Sequence, residues 1–364
     1  MSTRLSQPFG PIDANELLGS DGKLKMHFPS VNEILYENIA RKRTLIVGRK
    51  GTGKTTLKLG MRSYTEKFPH CVELNIGLEY HRVRDIIGSL SSRHSTIESA
   101  SALWSDVIWI WFIVSASVND SLPFLDPKTS DAMRTFAARF SLPTATSINS
   151  VFSRVITLLE SERSARQALQ PQLTAIKKVV FDALQQSEQQ CCILIDTIET
   201  YNIADAAFRD CLRGLINCCS WLQTECPFVE CVLFFPDELA ETFKEHISSS
   251  VLKDFRDAIY IKWTGPELIR LAALRLSDYL NYRQTPDGMV PTAKSFYVIE
   301  NAMDLLHIVL PPAIKDSSGQ VVATLTYILR HTQLTPRQFI LMLNELCASA
   351  LSTKDVRKGG GLPA

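Results

Sequence analysis

Residues 44–57 read TLIVGRKGTGKTTL and decide the predicted fold. Residues 44–47 are a short apolar run that ends directly in Gly48, as a buried strand of a parallel sheet does. From Lys54 onward, apolar side chains recur at the spacing of one helix face. They are Leu57, Met61, Tyr64 and Phe68. The stretch therefore predicts a strand, a glycine-rich loop and a helix, followed by a second strand at residues 71–76 in a βαβ unit.

The loop fits the phosphate-binding pattern G-x-x-x-x-G-K-[ST] in full and lies between a strand and a helix, as that pattern requires. Glycines let backbone N–H groups turn toward phosphate oxygens, and the helix presents its positive end to the same anion. We expect Lys54 to contact the β and γ phosphates of ATP, Thr55 to bind Mg²⁺ and Thr56 to bond the α-phosphate. The predicted nucleotide-binding residues are Gly48, Arg49, Lys50, Gly51, Thr52, Gly53, Lys54, Thr55 and Thr56.

A second functional segment is CILIDTIE, residues 192–199. Its apolar run predicts a buried strand that delivers Asp196 to the C-terminal edge of the sheet, beside the phosphate-binding loop if the two strands are neighbours. We expect Asp196 to serve as a Mg²⁺ ligand with Thr55, and the alternative is a helix-capping aspartate. Glu199 is the candidate catalytic residue that orients or deprotonates the attacking water, and the alternative is a surface glutamate.

Helical patterns dominate residues 80–188, so we predict a helical insertion there, before strands return at residues 192–195, 229–235 and 258–263. The predicted fold class is α/β, a P-loop NTPase parallel sheet flanked by helices, with this insertion and an all-helical C-terminal lid. The predicted segments are an N-terminal extension at residues 1–29, an α/β ATPase domain at 30–283, a lid at 284–357 and a disordered tail at 358–364.

Two segments have the signature of a capped helix start. They are Thr264-Gly265-Pro266-Glu267 and Thr335-Pro336-Arg337-Gln338. In the second, Arg337 lies in the first turn of a lid helix and could reach a γ-phosphate, or it is an ordinary surface arginine. The face predicted to pack on the other lid helices consists of Phe339, Leu343, Leu346 and Ala350.

Composition narrows the function classes. The 39 basic and 38 acidic residues give a net charge of +1, which supplies no overall field for binding nucleic acid. The nine cysteines contain no C-x-x-C pair, so neither a zinc site nor a secreted disulfide framework is indicated. The N-terminus lacks the apolar core of a signal peptide, and the apolar residues 107–118 are too few to cross a bilayer, so we predict a buried helix in a cytoplasmic protein.

The segments GRKGTGKTT, ILIDTIE, YIKWTGPELIRLAALRL and TPRQFILMLNELCASAL together resemble a bacterial group of P-loop ATPases of the ASCE division, related to the STAND and AAA+ ATPases. The resemblance covers most of residues 30–350. It implies an ASCE-type core, a sensor arginine at Arg337 and ATP-driven switching or assembly, often in antiphage systems or beside DNA-acting partners. Two departures bear on the hydrolysis rate: Thr200 replaces a second acid, and Phe235-Pro236-Asp237 replaces a polar sensor.

The leading hypothesis is an ATPase that converts ATP and water to ADP and phosphate and acts as a regulatory switch or assembly factor. Its expected partners are further copies of the chain, an effector protein, or both, and Arg256 is a candidate arginine finger between subunits. One alternative is a DNA-loading AAA+ ATPase of the origin-recognition type. The basic triplet at residues 41–43 is either a contact to nucleic acid or a solvated surface turn. The other alternative is a small-molecule kinase.

Overall fold

A computed structural model describes fourteen ranges and single residues of the chain. They are residues 7–13, 16, 45–63, 71–75, 96–119, 125–142, 154, 157–158, 163–188, 190–196, 206–240, 258–282 and 298–359, with residue 296 in addition. Within them the chain is an α/β protein with a parallel sheet and helices, as predicted. It forms two compact units: residues 1–36, 49–63 and 261–364 form the first unit, and residues 37–48 and 64–260 form the second unit. The phosphate-binding loop and the helix after it thus group with the C-terminal part of the chain.

The sheet contains five described strands in the order β2-β3-β4-β1-β5. They are Leu45–Gly48 (β1), Cys71–Asn75 (β2), Cys191–Asp196 (β3), Val229–Pro236 (β4) and Ile259–Ile261 (β5). The pairs β2–β3, β3–β4 and β4–β1 are parallel. All of β1 and nearly all of β3 and β4 are buried, which explains why these strands appear in the sequence as continuous apolar runs without alternation.

Four long helices accompany the sheet in the second unit. They are Thr96–Asn119 (α2), Pro127–Arg139 (α3), Arg163–Ser187 (α4) and Ala206–Glu225 (α5), after Lys54–Ser63 (α1) in the first unit. Three of them lie within the residues predicted as a helical insertion. Helices α2 and α5 approach each other closely, because a methyl group placed on Gly214 would lie 2.4 Å from the Ala100 Cβ. The Trp104 indole nitrogen also donates a hydrogen bond to the Cys211 carbonyl at 3.0 Å.

Helix α2 contains the apolar segment predicted as a buried helix, and that prediction is confirmed. In the described part of the chain it alone is long and apolar enough, over Ile97–Ser117, to cross a membrane. Its side chains from Val107 to Ala116 are nevertheless all buried inside the protein. This burial fits the core helix of a soluble protein.

The first unit continues with Gly265–Tyr282 (α6), Ile299–His307 (α7), Thr324–His331 (α8) and Pro336–Gly359 (α9). Helix α6 has the predicted capping box. The Thr264 backbone N–H donates to the Glu267 carboxylate at 2.7 Å, and the Glu267 N–H donates to the Thr264 hydroxyl at 3.4 Å. At the start of α9 the box is not formed, because the Thr335 hydroxyl donates to the Thr332 carbonyl at 3.3 Å and the buried Gln338 Oε1 has no partner among the described residues.

The prediction of an all-helical C-terminal segment is wrong, because an antiparallel hairpin separates α7 from α8. Its strands are Ala313–Lys315 (β6) and Val321–Ala323 (β7). The Asp316 carboxylate closes the turn by accepting hydrogen bonds from the Ser318 N–H at 2.9 Å and the Gln320 N–H at 3.0 Å, and Gly319 adopts a φ of 84°. Three-residue strands are too short for the sequence to show an alternating pattern.

The predicted buried face of α9 is partly wrong. Phe339 and Leu343 are fully buried, but Leu346 is 43% exposed. Asn344 is buried instead, because it pairs with the N-terminal segment, and the side chain of Ala350 lies outside the described residues. Helix α9 also continues to Gly359, two residues into the predicted disordered tail, whose remainder is outside the described residues.

An N-terminal strap, residues 7–11, packs on α6 and α9 within the first unit. The Phe9 N–H donates to Asn344 Oδ1 at 3.1 Å, and Asn344 Nδ2 donates to the Gly10 carbonyl at 2.9 Å. Arg275 Nη1 donates to the carbonyls of Phe9 at 3.2 Å and Pro11 at 3.0 Å. Burial lowers the pKa of Arg275 to about 10, and the side chain of Phe9 is completely buried. The strap is therefore an integral part of this unit.

Candidate phosphate-binding site

The loop between β1 and α1 has the backbone shape that its glycines predict. Gly51 and Gly53 adopt φ angles of 87° and 100°, which residues with a Cβ atom rarely adopt. Three donors of the loop bind the Arg49 carbonyl. It accepts hydrogen bonds from the Thr52 N–H at 3.2 Å, the Thr52 hydroxyl at 2.8 Å and Lys54 Nζ at 3.1 Å. The Lys54 ammonium group therefore lies against its own loop.

Three more carbonyls of the loop, those of Gly51, Thr52 and Gly53, are also hydrogen-bonded. The Gly53 carbonyl accepts from the Leu57 N–H at 2.9 Å, which is the first helical bond of α1. The Gly51 carbonyl accepts from the Arg337 N–H at 3.3 Å, and the Thr52 carbonyl accepts from the Trp263 indole N–H at 2.8 Å. Two residues from distant parts of the sequence thus bind the carbonyl side of the loop.

Several amides of the same loop have no acceptor. Within the described part of the chain, the backbone N–H groups of Gly51, Gly53, Thr55 and Thr56 donate no hydrogen bond. Carbonyls that are bonded on one side and amides that are unbonded on the other give a concave surface of positive partial charge. With the N-terminus of α1 at the same place, this loop is suited to a phosphate chain.

Arg337 lies at this loop, as its predicted role requires. Helix α9 begins at Pro336, so Arg337 is in its first turn, and the Arg337 side chain is exposed. A methyl group on Gly51 would lie 3.1 Å from the Arg337 Cβ. The preceding turn contributes as well, since Arg49 Nη2 donates to Gln333 Oε1 at 3.4 Å. Gln333 and Leu334 adopt left-handed φ angles of 47° and 53°, a conformation that non-glycine residues rarely hold without support from their surroundings.

Asp196 ends β3 at the C-terminal edge of the sheet, as predicted. The condition that its strand neighbours the loop strand is not met, because β4 lies between β3 and β1. Asp196 pairs in register with Phe234, and Gly48 at the end of β1 pairs with Pro236. With neighbouring strands about 4.8 Å apart, the ends of β3 and β1 are separated by about 10 Å across the sheet.

The ligands predicted for Mg²⁺ are oxygen donors, which this ion prefers. The Thr55 hydroxyl makes no hydrogen bond within the described residues, so its oxygen is available for a cation. No cluster of three or more histidine, cysteine or acidic side chains occurs in the described ranges, and the loop motif does not require one. The predictions for Glu199, Thr200, Arg256 and the basic triplet at residues 41–43 fall outside the described residues.

Trp263 is a part of this site that the sequence did not predict. Its segment was predicted as a strand at residues 258–263, followed by the capping box at Thr264–Glu267, and it was quoted in the family resemblance, but none of these predictions assigned the tryptophan to the loop. Trp263 and Thr52 are separated by 211 positions, and no local pattern connects an indole to a loop carbonyl at that distance. A tryptophan directly before a capped helix and after a strand was the available signal.

Comparison with known proteins adds no further residues to the site. No family model matches the chain. No curated protein and no solved structure matches it either.

Proposed function

We propose that the chain is a Mg²⁺-dependent ATPase with a P-loop NTPase fold of the ASCE division. The observation that carries this proposal is the loop at residues 48–56. It combines the complete phosphate-binding pattern, two glycines in left-handed conformations and four backbone amides without acceptors among the described residues. A triphosphate chain supplies the acceptor oxygens that these amides lack.

Each residue of the loop then has a defined task. The amides of Gly51, Gly53, Thr55 and Thr56 bind phosphate oxygens, and Lys54 exchanges its hydrogen bond to the Arg49 carbonyl for the β and γ phosphates. Thr55 contributes its hydroxyl to Mg²⁺. Arg49 and Lys50 have exposed side chains and contribute through the shape of the loop backbone.

Asp196 is proposed to act on the Mg²⁺ ion and Glu199 on the attacking water. Support for Asp196 is its position at the end of β3. Asp196 pairs with Phe234 of β4 and Gly48 pairs with Pro236, so the two strands end only two residues apart along β4. Glu199 follows three residues later in the sequence, and a carboxylate there could accept a proton from water as the γ-phosphate is transferred. The reaction is ATP and water to ADP and phosphate.

The proposed biological role is a nucleotide-dependent switch or assembly factor in the cytoplasm. Its support is that the turn before α9 and Arg337 in its first turn both contact the loop, so a change at the phosphates reaches a helix of the first unit directly. The proposed partners are further copies of the chain or an effector protein, in line with the resemblance to STAND and AAA+ ATPases and with antiphage defence. Arg256 is the proposed arginine finger of an oligomer.

The test is nucleotide binding and hydrolysis by the wild type and four variants. We expect Lys54→Ala to lose MgATP binding, and Glu199→Gln and Arg337→Ala to bind MgATP and hydrolyse it at least tenfold more slowly. Lys178→Ala is the matched control, because it removes an exposed lysine of α4 outside the loop and should change neither property. Wild-type protein that does not bind MgATP would refute the proposal. Hydrolysis stimulated by DNA, or phosphate transfer to a small acceptor, would favour the two alternative functions.

A further inference from the structure

We propose that Trp263 is a positioning residue that holds the phosphate-binding loop in the conformation that binds phosphate. The inference rests on the proposed function and identifies a residue that the loop motif does not contain. It follows from one hydrogen bond, the burial of that bond and one helical hydrogen bond that the loop does not make.

The contact is short and protected from water. The Trp263 indole Nε1 donates to the Thr52 carbonyl at 2.8 Å, and the two residues are 6% and 5% exposed. A buried hydrogen bond of normal length is not exchanged for water at low cost, since either group left unpaired would lose its hydration without compensation. Trp263 therefore fixes the direction of the Thr52 carbonyl.

That direction decides which amides of the loop remain available. In a continuous α-helix the Thr56 N–H would donate to the Thr52 carbonyl, four residues earlier. The first such bond here is the next one along, from the Leu57 N–H to the Gly53 carbonyl at 2.9 Å. The Thr52 carbonyl is directed at the Trp263 indole instead, the helix does not extend into the loop, and the Thr56 N–H has no acceptor in the described residues. This is the amide assigned to the α-phosphate.

Trp263 is itself held on both sides. It follows β5, which ends at Ile261, and it precedes the capping box of α6 at Thr264 and Glu267. A donor at such a junction has little freedom to follow a moving loop. Trp263 is therefore suited to impose one loop conformation before the ligand arrives, which saves the cost of ordering the loop on binding.

The test compares Trp263→Phe, which keeps an aromatic ring and removes the N–H donor, with Trp221→Phe, which changes a tryptophan that is 49% exposed in the second unit. Affinity for MgATP and for inorganic tripolyphosphate is measured by calorimetry. We expect Trp263→Phe to weaken both ligands by about three- to tenfold, the range of one net hydrogen bond. The turnover at saturating MgATP should stay within about twofold, because Trp263 does not touch the reacting atoms. Trp221→Phe should match the wild type.

A second readout does not depend on any ligand. Hydrogen exchange of the peptide that covers residues 49–57 should be faster in Trp263→Phe than in the wild type. Unchanged exchange, or unchanged affinity for both ligands, would overturn the assignment. Should the wild type bind neither ligand while exchange still rises in the variant, the proposed ATPase function would fail and the contact that holds the loop would stand. For a variant that does not fold, the measurement is the Trp263 indole proton of the wild type, and rapid exchange of that proton with solvent would overturn the inference.

Discussion

Substituting alanine for Gly51 tests the loop at its most constrained backbone position. Gly51 has a φ of 87°, and an added Cβ would lie 3.1 Å from the Arg337 Cβ and 3.6 Å from the Thr335 hydroxyl oxygen. The Arg337 Cβ is fixed to the backbone of α9, so it cannot rotate away. Alanine at this position must therefore distort the loop, push α9 away, or both.

Gly319 supplies a matched reference for the backbone part of this cost. It has a φ of 84°, and a Cβ there would meet nothing within 4 Å. Left-handed backbone costs a residue with a Cβ about 1–2 kcal/mol. We expect Gly319→Ala to lower the free energy of unfolding by that amount, and Gly51→Ala to lower it by a further ~1 kcal/mol from the tight contact, within the usual range for overpacking.

The assay is urea denaturation of the wild type and both variants, with MgATP affinity measured on the same preparations. Gly319→Ala should bind MgATP as the wild type does. Gly51→Ala should bind at least tenfold more weakly, because the Gly51 amide and its neighbours no longer face one point. Equal destabilisation by the two substitutions would show that the contact with Arg337 is not present in solution. Unchanged MgATP affinity in Gly51→Ala would refute the role of the loop backbone.

Three further predictions concern the packing around the site. Phe9→Ala should lower the free energy of unfolding of the first unit by about 3–5 kcal/mol, since the Phe9 side chain is fully buried. The Ile12 side chain is 43% exposed, so Ile12→Ala should change this free energy by less than about 0.5 kcal/mol in the same denaturation assay. Gly214→Ala should cost at least about 1–3 kcal/mol, because the added methyl would lie 2.4 Å from the Ala100 Cβ, and near-UV circular dichroism should report the separation of α2 and α5. Burial raises the pKa of Cys226 from 9.0 to about 11, so the folded state holds the thiol proton more tightly than the unfolded state does. The resulting contribution to the free energy of unfolding should be complete below pH 9 and should decline toward pH 11. In the same denaturation assay, the decline should be smaller in Cys226→Ala.

The strands of the sheet were predictable because burial on both faces leaves an unbroken apolar run. Residues 192–195 and 229–235 predicted β3 and β4 to within one residue at each end. The order of the strands was not predictable, since a run of apolar residues does not specify its neighbours. The β6–β7 hairpin was missed because its stability depends on the Asp316 turn and not on a periodic pattern. Leu346 was misassigned because the N-terminal strap pairs with Asn344 and so determines which face of α9 is buried.

In the site, the sequence predicted the loop residues themselves and the position of Arg337 in the first turn of α9. It did not predict the Trp263 and Gln333 contacts or the docking of residues 7–11. Each of these contacts joins parts of the chain more than 200 positions apart. A local motif specifies the backbone that can bind a phosphate. The contacts that hold that backbone in place come from tertiary packing, which leaves no periodic signal in the sequence.

The two external contacts of the loop act on consecutive carbonyls with the same result. In a regular helix, the Gly51 and Thr52 carbonyls would accept from the Thr55 and Thr56 N–H groups. Here the Arg337 N–H and the Trp263 indole occupy them, and both threonine amides are left without an acceptor in the described residues. One of these donors is a backbone group and the other a side chain, so substitution at position 337 removes a guanidinium group without removing the contact. Any ligand bound by the two amides is thereby linked to Trp263, which lies directly before the cap of α6, and to Arg337 in the first turn of α9, because these residues bind the carbonyls that the two amides would otherwise use.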